Sequence, residues 1–118
     1  MGPEAEYRRY LADGHFMIQR GTDTGRAFFP PRTCEPGTGD SPEWFAPSGH
    51  ATVYSVTVVR RRDPEPDYSV ALVDLDEGPR LMTRIEGIAP DQVRIGMRAA
   101  ARIVTEDDVP LLVFEAAP

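Results

Sequence analysis

Residues 19–40 read Q-R-G-T-D-T-G-R-A-F-F-P-P-R-T-C-E-P-G-T-G-D. Two short glycine-bearing turns, G-T-D-T-G at 21–25 and C-E-P-G-T-G at 34–39, bracket the run A-F-F-P-P-R at 27–32. Two tight knuckles joined by an extended run have the outline of a zinc ribbon. Such a ribbon needs a cysteine pair in each knuckle, because four thiolates close a tetrahedral site around the metal. The chain has one cysteine, Cys34. The outline is that of a metal site whose ligands are missing.

The 118 residues fit one ordinary domain, or a small domain with an appendage. A chain of this size buries about two-thirds of its unfolded surface, so a core is possible without metal or disulfide. With 41% hydrophobic and 8% aromatic residues the composition is that of a globular protein, not a disordered tail. All 13 basic residues are arginine, against 19 acidic ones, for a net charge of −6. A chain that holds nucleic acid by its phosphates shows a basic excess on some face, and this balance argues against that partner. The absence of lysine removes Schiff-base chemistry. One cysteine forbids an internal disulfide and suits a reducing compartment. The first residues, M-G-P-E-A-E-Y-R-R-Y, carry no apolar signal region, and no apolar run approaches the roughly 20 residues of a membrane span. The expectation is a cytoplasmic, soluble protein with no membrane partner.

Taken in order, residues 4–13 predict a short helix with Tyr7, Tyr10 and Leu11 on one stripe and Gly14 as its stop. Alone it is marginal, so it must dock on its own domain or on a partner. Residues 15–20 and 26–29 predict two strands around the first knuckle, the second ended by Pro30-Pro31. An extended segment follows the second knuckle through Trp44 and Phe45. From Gly49 the texture changes to alternating β-branched runs: 52–59, 68–75, 80–86, 98–105 and 110–115 predict five strands. A single helical turn at 89–93 separates the third from the fourth. Five strands in this order suit a closed barrel of the OB type. The fold class is therefore mainly β: a short helix and a metal-free ribbon-like hairpin over residues 1–47, then a five-stranded OB barrel over 48–118.

Several phrases carry a family resemblance: F-P-P-R at 29–32, S-G-H-A-T-V-Y-S at 48–55, V-D-L-D-E-G at 73–78 and I-G-M at 95–97. In this order they resemble the DUF35 OB-fold proteins, in which a helix and a rubredoxin-like zinc ribbon precede an acyl-CoA-associated barrel. The resemblance places the first ligand pair at Gly21 and Thr24 and the second at Cys34 and Gly37, so that Cys34 alone is retained. It implies no bound zinc. Packing of Phe16, Ile18, Phe28 and Trp44, with glycine-permitted turns, is then expected to stand in for the metal.

No G-x-S-x-G, H-E-x-x-H or P-loop is present, and His15 and His50 lie in no nucleophile motif. The carboxylates Asp74, Asp76 and Glu77 read as solvated turn acids before they read as an acid/base pair. The residues singled out for binding are Phe28, Phe29, Pro30, Pro31, Arg32 and Trp44, as an aromatic–proline surface, with Arg60 and Arg61 as guanidinium groups suited to the phosphates of coenzyme A. The competing reading is that Phe28 or Phe29 points into the ribbon core and that the arginines form a solvated rim. The resemblance implies a non-catalytic subunit of a thiolase-like or lipid-transfer-protein-type enzyme that helps bind or channel acyl-CoA. The other class weighed is an OB module that binds nucleic acid through Tyr54, Tyr68, Phe114 and the arginines.

Overall fold

In Y-S-V-A-L-V-D-L every second side chain is buried, and this period of two makes β5 (Tyr68–Leu75) the spine of a barrel. The structure, a computed structural model, describes residues 2–117. β5 pairs antiparallel with β4 (His50–Val59) on one side and with β6 (Arg80–Thr83) on the other. The register of β4 against β5 shifts between Val53 and Ser55, a bulge that leaves Tyr54 outside. β8 (Arg98–Glu106) pairs with β4 and, through a hairpin, with β9 (Val109–Ala116). The hairpin turns at Asp107 and Asp108, whose φ values of 52° and 63° give the mirror-image turn that matches strand twist.

The predicted strand at 80–86 is two strands. β6 pairs with β5, Arg84 breaks the run, and β7 (Ile85–Glu86) pairs parallel with β9. One segment thus changes partner half-way, because no single ladder edge can serve β5 and β9 at once. With that switch the order β6-β5-β4-β8-β9-β7 closes on itself, which makes an OB barrel. Ser69, 2% exposed, bonds across the break: its hydroxyl accepts from the Ile85 amide at 3.2 Å and donates to the Ile85 carbonyl at 3.4 Å. A 3₁₀ turn (Pro90–Gln92) lies between β7 and β8.

Ahead of the barrel, α1 (Pro3–Ala12) has proline in its first turn with Glu4 and Glu6. It stops at Gly14, φ +84°, where the His15 amide donates to the Tyr10 carbonyl at 2.8 Å. β1 (Ile18–Gly21), β2 (Ala27–Phe28) and β3 (Pro42–Phe45) form a second sheet in the order β2-β1-β3. β1 starts later than the predicted strand, since Phe16 turns inward to meet the Phe114 ring edge-on at 6.5 Å. Ile18 shares one buried cluster with Val53, Val73 and Phe114, so the small sheet and the barrel have a common core. The helix docks on its own chain: Leu11 is buried, Tyr7 meets Phe29 at 5.5 Å, and Tyr10 meets Trp44 at 5.4 Å. No helix among the described residues is long and apolar enough to cross a membrane.

Candidate functional site

The two knuckles repeat one backbone pattern. The Gly21 amide donates to the Arg26 carbonyl at 3.1 Å and the Gly25 amide to the Gly21 carbonyl at 2.9 Å. The Glu35 amide donates to the Asp40 carbonyl at 2.8 Å and the Gly39 amide to the Glu35 carbonyl at 2.9 Å. The correspondence makes Gly21 and Thr24 the counterparts of Glu35 and Thr38. Cys34, exposed, lies one position outside the second knuckle's inward face. The register that placed the second ligand pair at Cys34 and Gly37 is therefore corrected to Glu35 and Thr38. Cys34 is a ligand by residue type alone, one position ahead of the knuckle.

Glu35 is fully buried where the knuckles meet. Its carboxylate accepts from the Thr38 hydroxyl, from the Thr24 hydroxyl at 3.0 Å and from the Arg26 Nε–H at 2.8 Å. The Thr38 bond first, then those from Thr24 and Arg26, hold its carboxyl below the usual range against the opposing effect of burial. Asp40 ties the first knuckle in the same way, accepting from the amides of Asp23 at 2.8 Å and Thr24 at 3.2 Å. Gly21 is needed for space: a Cβ there would run into Thr24 Oγ1 and come within 2.6 Å of Asp40 Oδ2 and 3.1 Å of Glu35 Oε1. Gly37 and Gly39, at φ +88° and +74°, are needed for conformation.

These residues do not fit zinc. Of the four equivalent positions only Glu35 is a ligand type, its oxygens are engaged by three donors, and a guanidinium stands beside it. Among the described residues no group of three or more His, Cys, Asp or Glu is placed to share a metal ion. Beside the expected packing of Phe16, Ile18 and Phe28 and the glycine-permitted turns, a polar knot closes the knuckles themselves.

The residues singled out for binding separate. Phe28 is 7% exposed and belongs to the interior, whereas Phe29 is half-buried. Gln19, itself buried, clamps the next stretch: its Nε2 donates to the Arg32 carbonyl at 2.9 Å and its Oε1 accepts from the Arg32 amide at 2.7 Å. Phe29 and Tyr7 line two adjoining clefts. One, about 560 Å³, lies between α1 and the barrel and reaches Leu81, Met82 and Leu111. The other, about 540 Å³, runs along Pro30, Pro31 and Arg32. Burial pushes the Tyr7 hydroxyl up to about 12. Trp44 serves the scaffold, donating from Nε1 to Glu6 at 2.9 Å. Arg60 and Arg61 sit on the β4–β5 loop, paired with Asp67 and Glu65, and line neither cleft. Sequence reasoning missed Met82, Val109 and Leu111. Their signal was apolar residues at outward positions of alternating strands.

The acidic cluster is ionic and structural. Asp74 pairs with Arg80 at 2.6 Å, Asp76 with Arg98 at 2.7 Å, and Glu77 accepts from the Ser48 amide at 2.7 Å. The Arg98 hydrogen bond holds the Asp76 carboxyl below its usual range. Among the described residues neither histidine side chain hydrogen-bonds to a serine, threonine or cysteine. Among the described residues these acids are engaged in ion pairs or backbone hydrogen bonds rather than hydrogen-bonded to a histidine, serine or cysteine side chain.

Residues 44–104, more than half of the chain, match the family model described as "ChsH2, C-terminal OB-fold domain". A solved chain titled "Ltp2-ChsH2(DUF35) aldolase" superposes at TM-score 0.86 with 32% identity, covering 98% of this chain and 95% of that one. The chain belongs to the DUF35 OB-fold family. A DUF35 domain-containing scaffold protein of Pyrococcus furiosus is 29% identical over 98 residues, 79% of this DUF35 protein and 72% of that one. A probable enoyl-CoA hydratase alpha subunit of Thermomonospora curvata is 41% identical over 87 residues. That match takes in 69% of this chain but 27% of the hydratase subunit's length. A DUF35 protein of unknown function from Sulfolobus solfataricus, 19% identical with a TM-score of 0.68, shares the fold.

Proposed function

We propose that this protein is a non-catalytic accessory subunit of a thiolase-like enzyme of the thiolase, aldolase or acyltransferase type, which it scaffolds and helps to hold acyl-CoA. The observation that carries the reading is the near full-length likeness to the DUF35 chain of an aldolase complex. A relative named as a scaffold protein supports it from a second direction. The site chemistry is in keeping: the carboxylates beside Gly78 are tied to arginines or to a backbone amide, and the buried Glu35 is saturated. Asp74, Asp76 and Glu35 are thereby held as ion-paired carboxylates.

What weighs against the nucleic-acid role is the fate of the aromatics it needs. Arg80 covers the Tyr54 ring at 3.4 Å, Arg61 covers Tyr68 at 4.3 Å, and Phe114 is fully buried. Of these three rings, two already carry a guanidinium on one face and the third lies inside the core.

Co-expression with the thiolase-like subunits of the same genome, followed by size-exclusion chromatography with light scattering, tests the reading. A stable complex with one of them is expected. Recovery of the chain free in every pairing overturns it, and so does turnover of an acyl-CoA by the pure chain.

A further inference from the structure

Closing the barrel by a split strand leaves one seam without a ladder. β9 pairs with β8 along its length but meets β7 only at Phe114 and Glu115, while β6 is paired on its β5 side. Across this seam lies α1, and the cleft of about 560 Å³ runs between them. Its floor includes Leu11, Phe29 and Leu81. Its rim carries Met82, Val109 and Leu111, which are 70%, 56% and 36% exposed. Large apolar side chains left in water singly need no explanation, but neighbours along one cleft mark a contact surface. Through Tyr7, Arg8 and Phe29 the cleft continues to Pro30, Pro31 and Arg32.

We propose that this continuous groove receives an apolar segment of the partner protein that is flanked by carboxylates. The proposal rests on the accessory-subunit reading and names its docking surface. Most of the arginines face a carboxylate, including Arg8, which lines the groove and pairs with Glu4 at 3.0 Å. Arg9 and Arg32, which flank the groove, have no carboxylate partner within 4.0 Å among the described residues. On a chain of net charge −6 an acidic segment is repelled by most of the surface and is drawn to unmatched cations.

The groove's shape suits a protein rather than a small molecule. Ligand sites bury about 70–90% of their ligand in a concave pocket. A rim methionine 70% exposed gives an acyl chain little cover, whereas a polypeptide segment covers floor and rim together. Tyr7 and Phe29, locked edge to face at 5.5 Å, are rigid aromatic anchors of the kind that dominate interface energies.

The test uses the full chain with the thiolase-like subunit that binds it. Met82→Glu and Leu111→Glu alter exposed side chains, so thermal melts should match the wild type. Each is expected to weaken the complex at least roughly tenfold. The double variant Arg9→Glu/Arg32→Glu is expected to weaken it likewise and to flatten its salt dependence. Arg60→Glu, outside the groove, should leave affinity unchanged. Unaltered binding by the groove variants overturns the docking surface while leaving the accessory-subunit reading in place. No binding by the wild type to any thiolase-like subunit overturns both. Two further outcomes reassign the groove and overturn the proposal. One is saturable binding of dodecanoyl-CoA to the isolated chain that Met82→Glu abolishes. The other is a wild-type dimer in sedimentation that Met82→Glu makes monomeric.

Discussion

Arg26 donates its Nε–H to Glu35 at 2.8 Å across the gap between the knuckles, from a side chain 60% exposed to a carboxylate that is fully buried. The buried charge is tolerated because two threonine hydroxyls share it. Its folded-state carboxyl sits below the usual range, so its stabilisation is present above the unfolded pKa of about 4.3 and is lost as pH falls through the folded value. Glu35→Gln, which keeps the shape and removes the charge, is expected to lower Tm at neutral pH by roughly 5–10 °C. The gap to wild type should close on acidification below the normal carboxylate range. A melt series against pH checks this, and a gap that stays constant would show that the charge contributes nothing.

The same geometry decides where metal could be put back. The native protein should carry no stoichiometric zinc by elemental analysis, its Tm should not move with a chelator, and Cys34→Ser should fall within about 0.5 kcal/mol of wild type. Cysteines at Gly21, Thr24, Glu35 and Thr38 together should bind cobalt with tetrahedral thiolate absorption bands. Cysteines at Gly21, Thr24 and Gly37, with native Cys34, should not, since Cys34 faces out and Gly37 holds φ +88°. Cobalt bands in the second variant and not the first would return the ligand register to Cys34.

The barrel was legible because period-two burial in 68–75, and in 50–53 ahead of the bulge, is a local property that residue type alone records. The absence of a zinc quartet was legible by counting cysteines. The polar knot was not: Thr24, Arg26, Glu35 and Thr38 look like ordinary turn residues until the knuckles are superposed, and their meeting is a tertiary event. The split at Arg84 was hidden for a related reason. Alternation runs through 80–86 without interruption, and only the parallel pairing of Ile85 with Phe114 shows that the partner has changed. The groove escaped notice because Met82 and Leu111 lie 29 positions apart in sequence and become neighbours only when the barrel closes.

Tyr7 supplies an alkaline counterpart to Glu35. Burial raises its hydroxyl from 10.0 to about 12, so the neutral phenol's stabilisation is full below pH 10 and is lost as pH rises through 12. Alkaline absorbance titration is expected to show one tyrosine ionising near pH 12, and Tyr7→Phe should remove that phase while keeping the edge contact with Phe29. Partner binding should protect the position further, because the ring lines the groove. Complex formation that leaves the Tyr7 titration where it was would place the interface elsewhere.

Ser69 tests how the barrel is shut. Its hydroxyl is the acceptor for the buried Ile85 amide, immediately after the break at Arg84. Ser69→Ala leaves that N–H without a partner in the interior, at a cost of about 1–3 kcal/mol. The urea midpoint should fall with the m-value unchanged, since the same surface unfolds. Hydrogen exchange should locate the damage: the Phe114 amide, which donates to the Arg84 carbonyl at 3.0 Å, should lose protection before the β4–β5 ladder does. That order follows from topology, because β4 and β5 share an eight-pair ladder while β7 touches β9 at two positions. Uniform loss of protection across both would mean that the split strand unfolds with the whole barrel and that Ser69 acts on global stability alone.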